Sequence, residues 1–281
     1  MIKASHWTNT YLNDLGLQLE PPTYKYLERI CRAHLTTFPF ENISKLIYFQ
    51  DRYNNGFEIP PIDVFIMNHY KYQFGGTCYT LNANLLFLLK EIGFNCYHIM
   101  LGEEHMGIIV AFDREKVYVD CGAAAPIFKP IRFEKDYQNS SRFGGDTVNI
   151  LPVEGDGHQY KYVRFTNGNQ NGKAWTFDAK QPYDLGGFER VIKASNEPNA
   201  TFMSILRCQL WQAKKNRSVS LVNSQLSIRY SNGTIMKKTL HSIHDIEQVV
   251  SNEFMLPKLP VRAAIKVLED LNIDIFSDPN G

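Results

Sequence analysis

Cysteine is scarce in this 281-residue chain: Cys31, Cys78, Cys96, Cys121 and Cys208 are an odd number, widely scattered, with no C-x-x-C pair. That spacing argues against a disulfide framework and against a cysteine zinc site, so no metal is expected. An excess of charge of one sign is lacking too. Thirty Lys and Arg stand against 29 Asp and Glu, a net charge of +1, and no long acidic or basic block occurs. Electrostatics therefore gives no reason to expect nucleic acid or an anionic membrane as partner. Long apolar runs are missing as well. Met1-Ile2-Lys3-Ala4-Ser5-His6 has no secretory core, and no stretch reaches the length needed to span a bilayer. No internal repeat or low-complexity linker breaks the chain. The simplest expectation is a soluble protein in the reducing cytoplasm.

What the chain does have is length for one large domain or two to three small ones, and many aromatics: 18 Phe, 15 Tyr and 3 Trp. Residues 1 to about 93 read as mostly helical. Pro21-Pro22-Thr23 launches a helix with Tyr26, Leu27, Ile30, Cys31 and His34 on one face, and Pro39 breaks the pattern between aromatics. Pro60-Pro61 and Asp63 start another helix through His69. After Gly93 the period changes to two. Asn95 to Leu101, His105 to Phe112 and Lys116 to Cys121 read as strands, the last two joined by the turn Asp113-Arg114-Glu115. Residues 125 to 158 read as long loops with short strands, followed by strands at Tyr160 to Phe165 and Lys173 to Ala179. Further on, Thr201 to Trp211 reads as a strand. A meander follows at Ser218 to Val222, Gln225 to Tyr230 and Thr234 to Leu240, with Ser231-Asn232-Gly233 as its last turn. Two helices close the chain, Ile243 to about Phe254 and Pro260 through Leu271.

One stretch organises the rest: Phe74-Gly75-Gly76-Thr77-Cys78-Tyr79-Thr80-Leu81-Asn82. Leu81, Leu85, Leu88, Leu89 and Ile92 recur at helical spacing until Gly93 stops them, so Cys78 opens a buried helix. A thiol there faces unpaired backbone N–H groups and the positive end of the helix dipole, which favours thiolate. The glycines let the backbone come close to whatever that thiolate attacks. A small buried cysteine before a core helix fits the segment equally well. A cysteine nucleophile needs a base, and the base needs an orienting group. His105 opens one strand of the hairpin and Asp120 ends its partner, which sets the two strand ends side by side. Alone, His105 reads as a strand-end histidine in water and Asp120 as a residue bonding its own turn. Together with Cys78 they shift the reading toward catalysis.

These residues carry a resemblance. The Phe74–Asn82 stretch resembles the R-G-G-x-C-x-E-x-N signature of the arylamine N-acetyltransferases (N-hydroxyarylamine O-acetyltransferase-like). Pro39-Phe40-Glu41-Asn42 is similar to their P-F-E-N element. His105-Met106-Gly107-Ile108-Ile109-Val110 and Tyr118-Val119-Asp120-Cys121-Gly122 resemble their histidine strand and V-D-V-G-F-G strand. Ser195-Asn196-Glu197-Pro198 to Phe202 resembles their S-P-x-S-x-F stretch, all in the same order along the chain. The resemblance implies an α+β fold with a papain-like triad core: a helical domain over 1–93, an antiparallel β-barrel over 94–200 and an α/β lid over 201–281. It implies ping-pong transfer of acetyl from acetyl-CoA, a co-substrate and not a permanently bound cofactor, to an arylamine, hydrazine or N-hydroxyarylamine. Cys78 would carry the acetyl group, His105 shuttle protons and Asp120 orient it. Backbone N–H groups at Gly76 and Thr77 would hold the oxyanion. Phe40 and Phe202 would wall the acceptor pocket, although plain core packing accounts for each as well.

Departures lie close to the nucleophile. Phe74 stands where the family has Arg and Thr80 where it has Glu, so an apolar support is expected to replace an ionic one, with Glu41 taking another partner. Ala123 stands where an aromatic lines the acceptor site, and the interval from Cys78 to His105 is shorter than usual. An amide synthase or another acyltransferase using a different acyl donor is the alternative reading. A cysteine hydrolase or a non-catalytic homologue comes behind it.

Overall fold

A computed structural model describes residues 5–50 and 59–277. The stretch Met1–Ala4, read above for a secretory signal, and the outer ends of the first and last expected domains lie outside the described residues. The chain forms two compact units, neither continuous in sequence: Met1–Thr37 with Cys78–Glu189, and Phe38–Thr77 with Arg190–Gly281. The division at 93 and 200 follows the change in hydrophobic period; packing groups the residues by a different criterion.

The first unit holds the helices His6–Asp14, Tyr24–Thr37 and Cys78–Glu91. Tyr26, Leu27, Ile30, Cys31 and His34 are the buried stripe of the second, as the spacing predicts. The Cys78–Glu91 helix is buried on nearly every side and packs on strands β2 (Cys96–Leu101) and β3 (His105–Phe112). With β4 (Glu115–Val119) these form a three-stranded antiparallel sheet in which Ile108 faces Val119 and Phe112 faces Glu115. A second antiparallel sheet comprises β5 (Ser140–Phe143), β6 (Asp146–Pro152), β7 (Gln159–Thr166), β8 (Asn169–Gln170) and β9 (Trp175–Asp178). Both sheets feed one core containing Ile99, Leu101, Tyr118, Phe133, Ile150 and Phe177. Among the described residues, β2 and β4 make single bridges beyond their ladders, His98 to Tyr183 and Tyr118 to Ile131. Among the described residues no continuous ladder closes the sheets into a barrel.

The second unit is built on a five-stranded antiparallel sheet. Its order is β1 (Phe40–Glu41), β10 (Arg207–Gln212), β11 (Arg217–Val222), β12 (Gln225–Tyr230) and β13 (Ile235–Thr239). Helices Ile243–Asn252 and Val261–Asp270 share its core through Ile246, Val250, Ile265 and Leu268. Ser242 caps the first of them, its side chain accepting from the Asp245 N–H at 3.1 Å. Thr201 to Trp211 is not one strand: Thr201–Met203 is a 3-10 turn, and pairing starts only at Arg207. Asn42 explains the break. Its amide donates to the carbonyls of Phe202 and Ile205, which takes those carbonyls out of any ladder. No helix among the described residues is long and apolar enough to cross a membrane.

Candidate active site

The helix start and the hairpin meet within the first unit. Cys78, His105 and Asp120 are 7%, 5% and 0% exposed, so whatever charge they carry must be balanced among themselves. His105 Nε2 lies 2.7 Å from Asp120 Oδ2. Asp120 thus takes Nε2, and Cys78 lies close enough to act electrostatically on the same ring. Burial alone would lower the His105 pKa. The Asp120 carboxylate, then Cys78, overcome it and hold the imidazole up at about 10. Asp120 answers in the opposite sense: burial pushes it up, but His105 and the surrounding donors bring it below its ordinary value of 3.8.

Four donors surround that carboxylate, one for each lone-pair direction. Oδ2 accepts from His105 and from Tyr118 Oη at 2.7 Å; Oδ1 accepts from Asn82 Nδ2 and the Gly122 N–H, both at 2.8 Å. Asn82 is itself saturated, donating to the Met106 carbonyl at 2.6 Å and accepting from the Cys121 N–H at 3.0 Å. It therefore ties the helix of Cys78 to the strand of His105 and to the strand end at Asp120. Tyr118 and Asn82 carry no role in the sequence reading. The signals existed: Asn82 closes the cysteine motif, and Tyr118 is two residues before Asp120, on the same strand face. Burial pushes the Tyr118 hydroxyl far up, and Asp120 adds to it, so it stays a donor.

Gly122 is set by the same crowding. A Cβ there would lie 2.5 Å from Cys78 Cα and 3.0 Å from Asn82 Nδ2. The nearer contact is with backbone and cannot be relieved by a rotamer change. Gly122→Ala is expected to displace the nucleophile by several tenths of an ångström and lower turnover about 100-fold. Steady-state kinetics together with a melting curve checks it; wild-type rates in a folded variant would refute the steric reading. Ala123, next in the chain, is partly buried against the core of the two sheets.

The other residues singled out belong to the second unit. The Phe40 and Phe202 rings pack edge to face there, centroids 5.3 Å apart. Gly75 and Gly76 are both required locally. A Cβ on Gly75 would overlap the Pro39 carbonyl oxygen, and Gly76 adopts φ 146°, a region that disfavours side chains. Thr77 is buried. Glu41 is fully buried and is not stranded: it accepts from Ser44 Oγ at 2.7 Å, the Ser44 N–H at 2.8 Å and the Gly75 N–H at 3.0 Å. Burial raises this carboxyl, and those neutral donors only partly offset the effect. Phe74, in the position of the family's arginine, is 3% exposed and packs on Tyr72 and Tyr48 with centroids 5.0 and 5.9 Å away. Burying its ring contributes roughly 1.5–3 kcal/mol. The support next to the glycine pair is thus apolar plus neutral hydrogen bonds, as the paired departures at Phe74 and Thr80 led us to expect.

Among the described residues no group of three or more His, Cys, Asp or Glu is arranged to hold a metal ion, and all five cysteines are free and buried. Comparison with curated protein sequences found no match. Solved structures did match. The arylamine N-acetyltransferase from Salmonella typhimurium superposes with a TM-score of 0.76 at 15% identity, covering 95% of this chain and 99% of that one. The Mycobacterium abscessus arylamine N-acetyltransferase gives 0.75 at 16% identity, with 97% and 99% covered. That of Mycobacterium marinum in complex with CoA gives 0.73 at 14%, with 93% and 98% covered. At such identities these likenesses speak for the fold, a mixed one of helices and antiparallel sheets. A family model described as N-acetyltransferase matches residues 23–260, and this chain belongs to that family, the arylamine N-acetyltransferases, and is an acetyltransferase enzyme.

Proposed function

We propose that the enzyme moves an acetyl group from acetyl-CoA to an arylamine, hydrazine or N-hydroxyarylamine through a thioester on Cys78. The observation that carries this reading is the buried His105 bonded to Asp120, on a strand packed against the helix that the buried Cys78 opens. In the first half-reaction the Cys78 sulfur attacks the acetyl carbonyl, the carbon–sulfur bond to CoA breaks, and the CoA thiolate takes a proton from His105. In the second, the amine nitrogen attacks the thioester carbonyl and passes its proton to His105. The bond to Cys78 then breaks, and the thiolate–imidazolium pair is restored. Asp120 keeps the imidazole in one orientation throughout. The N–H groups of Gly76 and Thr77, next to the nucleophile in the chain, are the donors assigned to the oxyanion, and Phe40, Phe202 and Ala123 the acceptor-binding residues.

The CoA complex of the M. marinum relative supports CoA as the donor's carrier. A papain-like triad core, an antiparallel β domain over 94–200, a lid over 201–281 and a helical domain over 1–93 complete this reading. Five free thiols suit a reducing cytoplasm. Ala123, small where the family carries an aromatic ring, favours a second reading in which a bulkier acyl donor is used for amide synthesis. Intact-mass measurement after mixing with acetyl-CoA separates the two. Gain of one acetyl group on Cys78, discharged by an arylamine, is the expected result. A reactive Cys78 thiol that takes up no acetyl group turns the assignment to the second reading.

A further inference from the structure

Trp175 opens β9, seventy residues beyond His105 in the chain, yet its indole lies flat on the His105 ring. The centroids are 4.7 Å apart and the planes differ by 4°. Three further contacts hold the indole in that plane. Its Nε1–H donates to Glu104 Oε1 at 2.7 Å, and Glu104 in turn accepts from Lys173 Nζ on both carboxylate oxygens at 2.8 Å. Tyr162, its register partner on β7, packs against it at 5.2 Å. Opposite the indole stands Gly102, where a Cβ would come within 2.5 Å of Trp175 Cδ1, so the chain leaves room for the ring. A tryptophan that only fills a core has no need of a parallel imidazole partner, and Trp175 is only partly buried.

The face of an indole is electron-rich, so an imidazolium stacked on it gains attraction that a neutral imidazole lacks. We propose that Trp175 is a positioning residue of this enzyme: it fixes the plane of the His105 ring and favours its protonated form. The proposal rests on the reading of His105 as the proton carrier. The other charged or titratable groups around His105 are Asp120 and Tyr118 from β4 and its end, Cys78 from the helix, and Glu104 in the turn just before β3. Lys173 acts through Glu104, which its hydrogen bond and charge hold low, and Tyr79 donates to the Glu104 carbonyl at 2.7 Å. Asp120 supplies the main attraction for the proton; Trp175 adds to it from a direction in which none of these groups lies flat on the ring.

The test is an NMR titration of His105 in protein carrying ring-labelled histidine. Trp175→Leu should move the Cε1–H resonance downfield, because the indole ring current is lost, and lower the titration midpoint by about half to one pH unit. Trp175→Phe, which keeps an aromatic face, should restore most of that shift. If Trp175→Leu does not fold, fluorotryptophan incorporation weakens the π face at nearly constant shape, and the midpoint should fall with it. A midpoint in Trp175→Leu or in the fluorinated protein equal to wild type, or an equal fall in the Leu and Phe variants, overturns the proposal. The titration needs no turnover, so its outcome is separate from that of the mass measurement: a missing acetyl adduct rejects the thioester mechanism and leaves the midpoint to decide Trp175.

Discussion

Cys78→Ala is expected to reduce acetyl transfer by about 10,000-fold or more, with the protein folded and substrates still bound. The size follows from the proposed role of Cys78 as the group that carries the acetyl, with His105, its Nε2 taken by Asp120, left to move protons. Cys78→Ser is expected to do no better, for a more specific reason. A serine hydroxyl is far less acidic than a thiol and reacts only if a neutral base takes its proton. The Asp120 carboxylate, the strongest of the groups holding His105 at about 10, remains in that variant, so the ring stays protonated and is a poor base near neutrality. Single-turnover assays and intact-mass measurement check both variants. Turnover of Cys78→Ser above about one hundredth of wild type would show that His105 acts as an ordinary neutral base.

Asp120→Asn comes next, with an expected fall in turnover of about 1,000- to 10,000-fold. Three effects act together. The amide brings its own N–H groups to an oxygen cradle already filled by donors from His105, Tyr118, Asn82 and Gly122, so at least one donor faces another. The imidazole loses the carboxylate that fixes its orientation. Burial, no longer opposed by that charge, then drives its pKa down from about 10. The alkaline limb of the pH–rate profile should therefore move to lower pH in the residual activity. Stability should follow the same groups. A histidine raised by its partner contributes stability that is complete below its unfolded value of 6.5 and is lost as pH rises through about 10. A carboxylate lowered by its partner contributes above its unfolded value of 3.8, and loses that contribution as pH falls. The difference in Tm between wild type and Asp120→Asn should thus be largest between pH 3.8 and 6.5, with the His105 part of it vanishing above about 10. A difference that keeps rising past pH 10 would mean the pair is not what stabilises the site.

The site was partly legible without the fold because its parts sit in local patterns. The helix from Cys78 shows as leucines at helical spacing ended by Gly93, and His105 and Asp120 are close in the chain, joined by one hairpin whose register follows from alternation. The strand read at Thr201 to Trp211 failed because its alternation says nothing of Asn42, which lies 160 and 163 residues from Phe202 and Ile205 and takes up their carbonyls. The expected barrel met a similar limit: period two announces strands, but whether single bridges or full ladders follow them depends on partners distant in sequence.

By itself, the order of residues determined the start and face of the helix that Cys78 opens, the hairpin that pairs His105 with Asp120, and the family to which the chain belongs. These depend on backbone hydrogen bonds and periodicities among near neighbours, which a short window contains. Only the tertiary structure decided the four donors on Asp120, the cradle of neutral donors around Glu41, and the indole of Trp175 on the His105 ring. Each of those is the solution of a burial problem: a charge or polar group withdrawn from water must find its partners wherever packing puts them, and no local pattern along the chain records where that is.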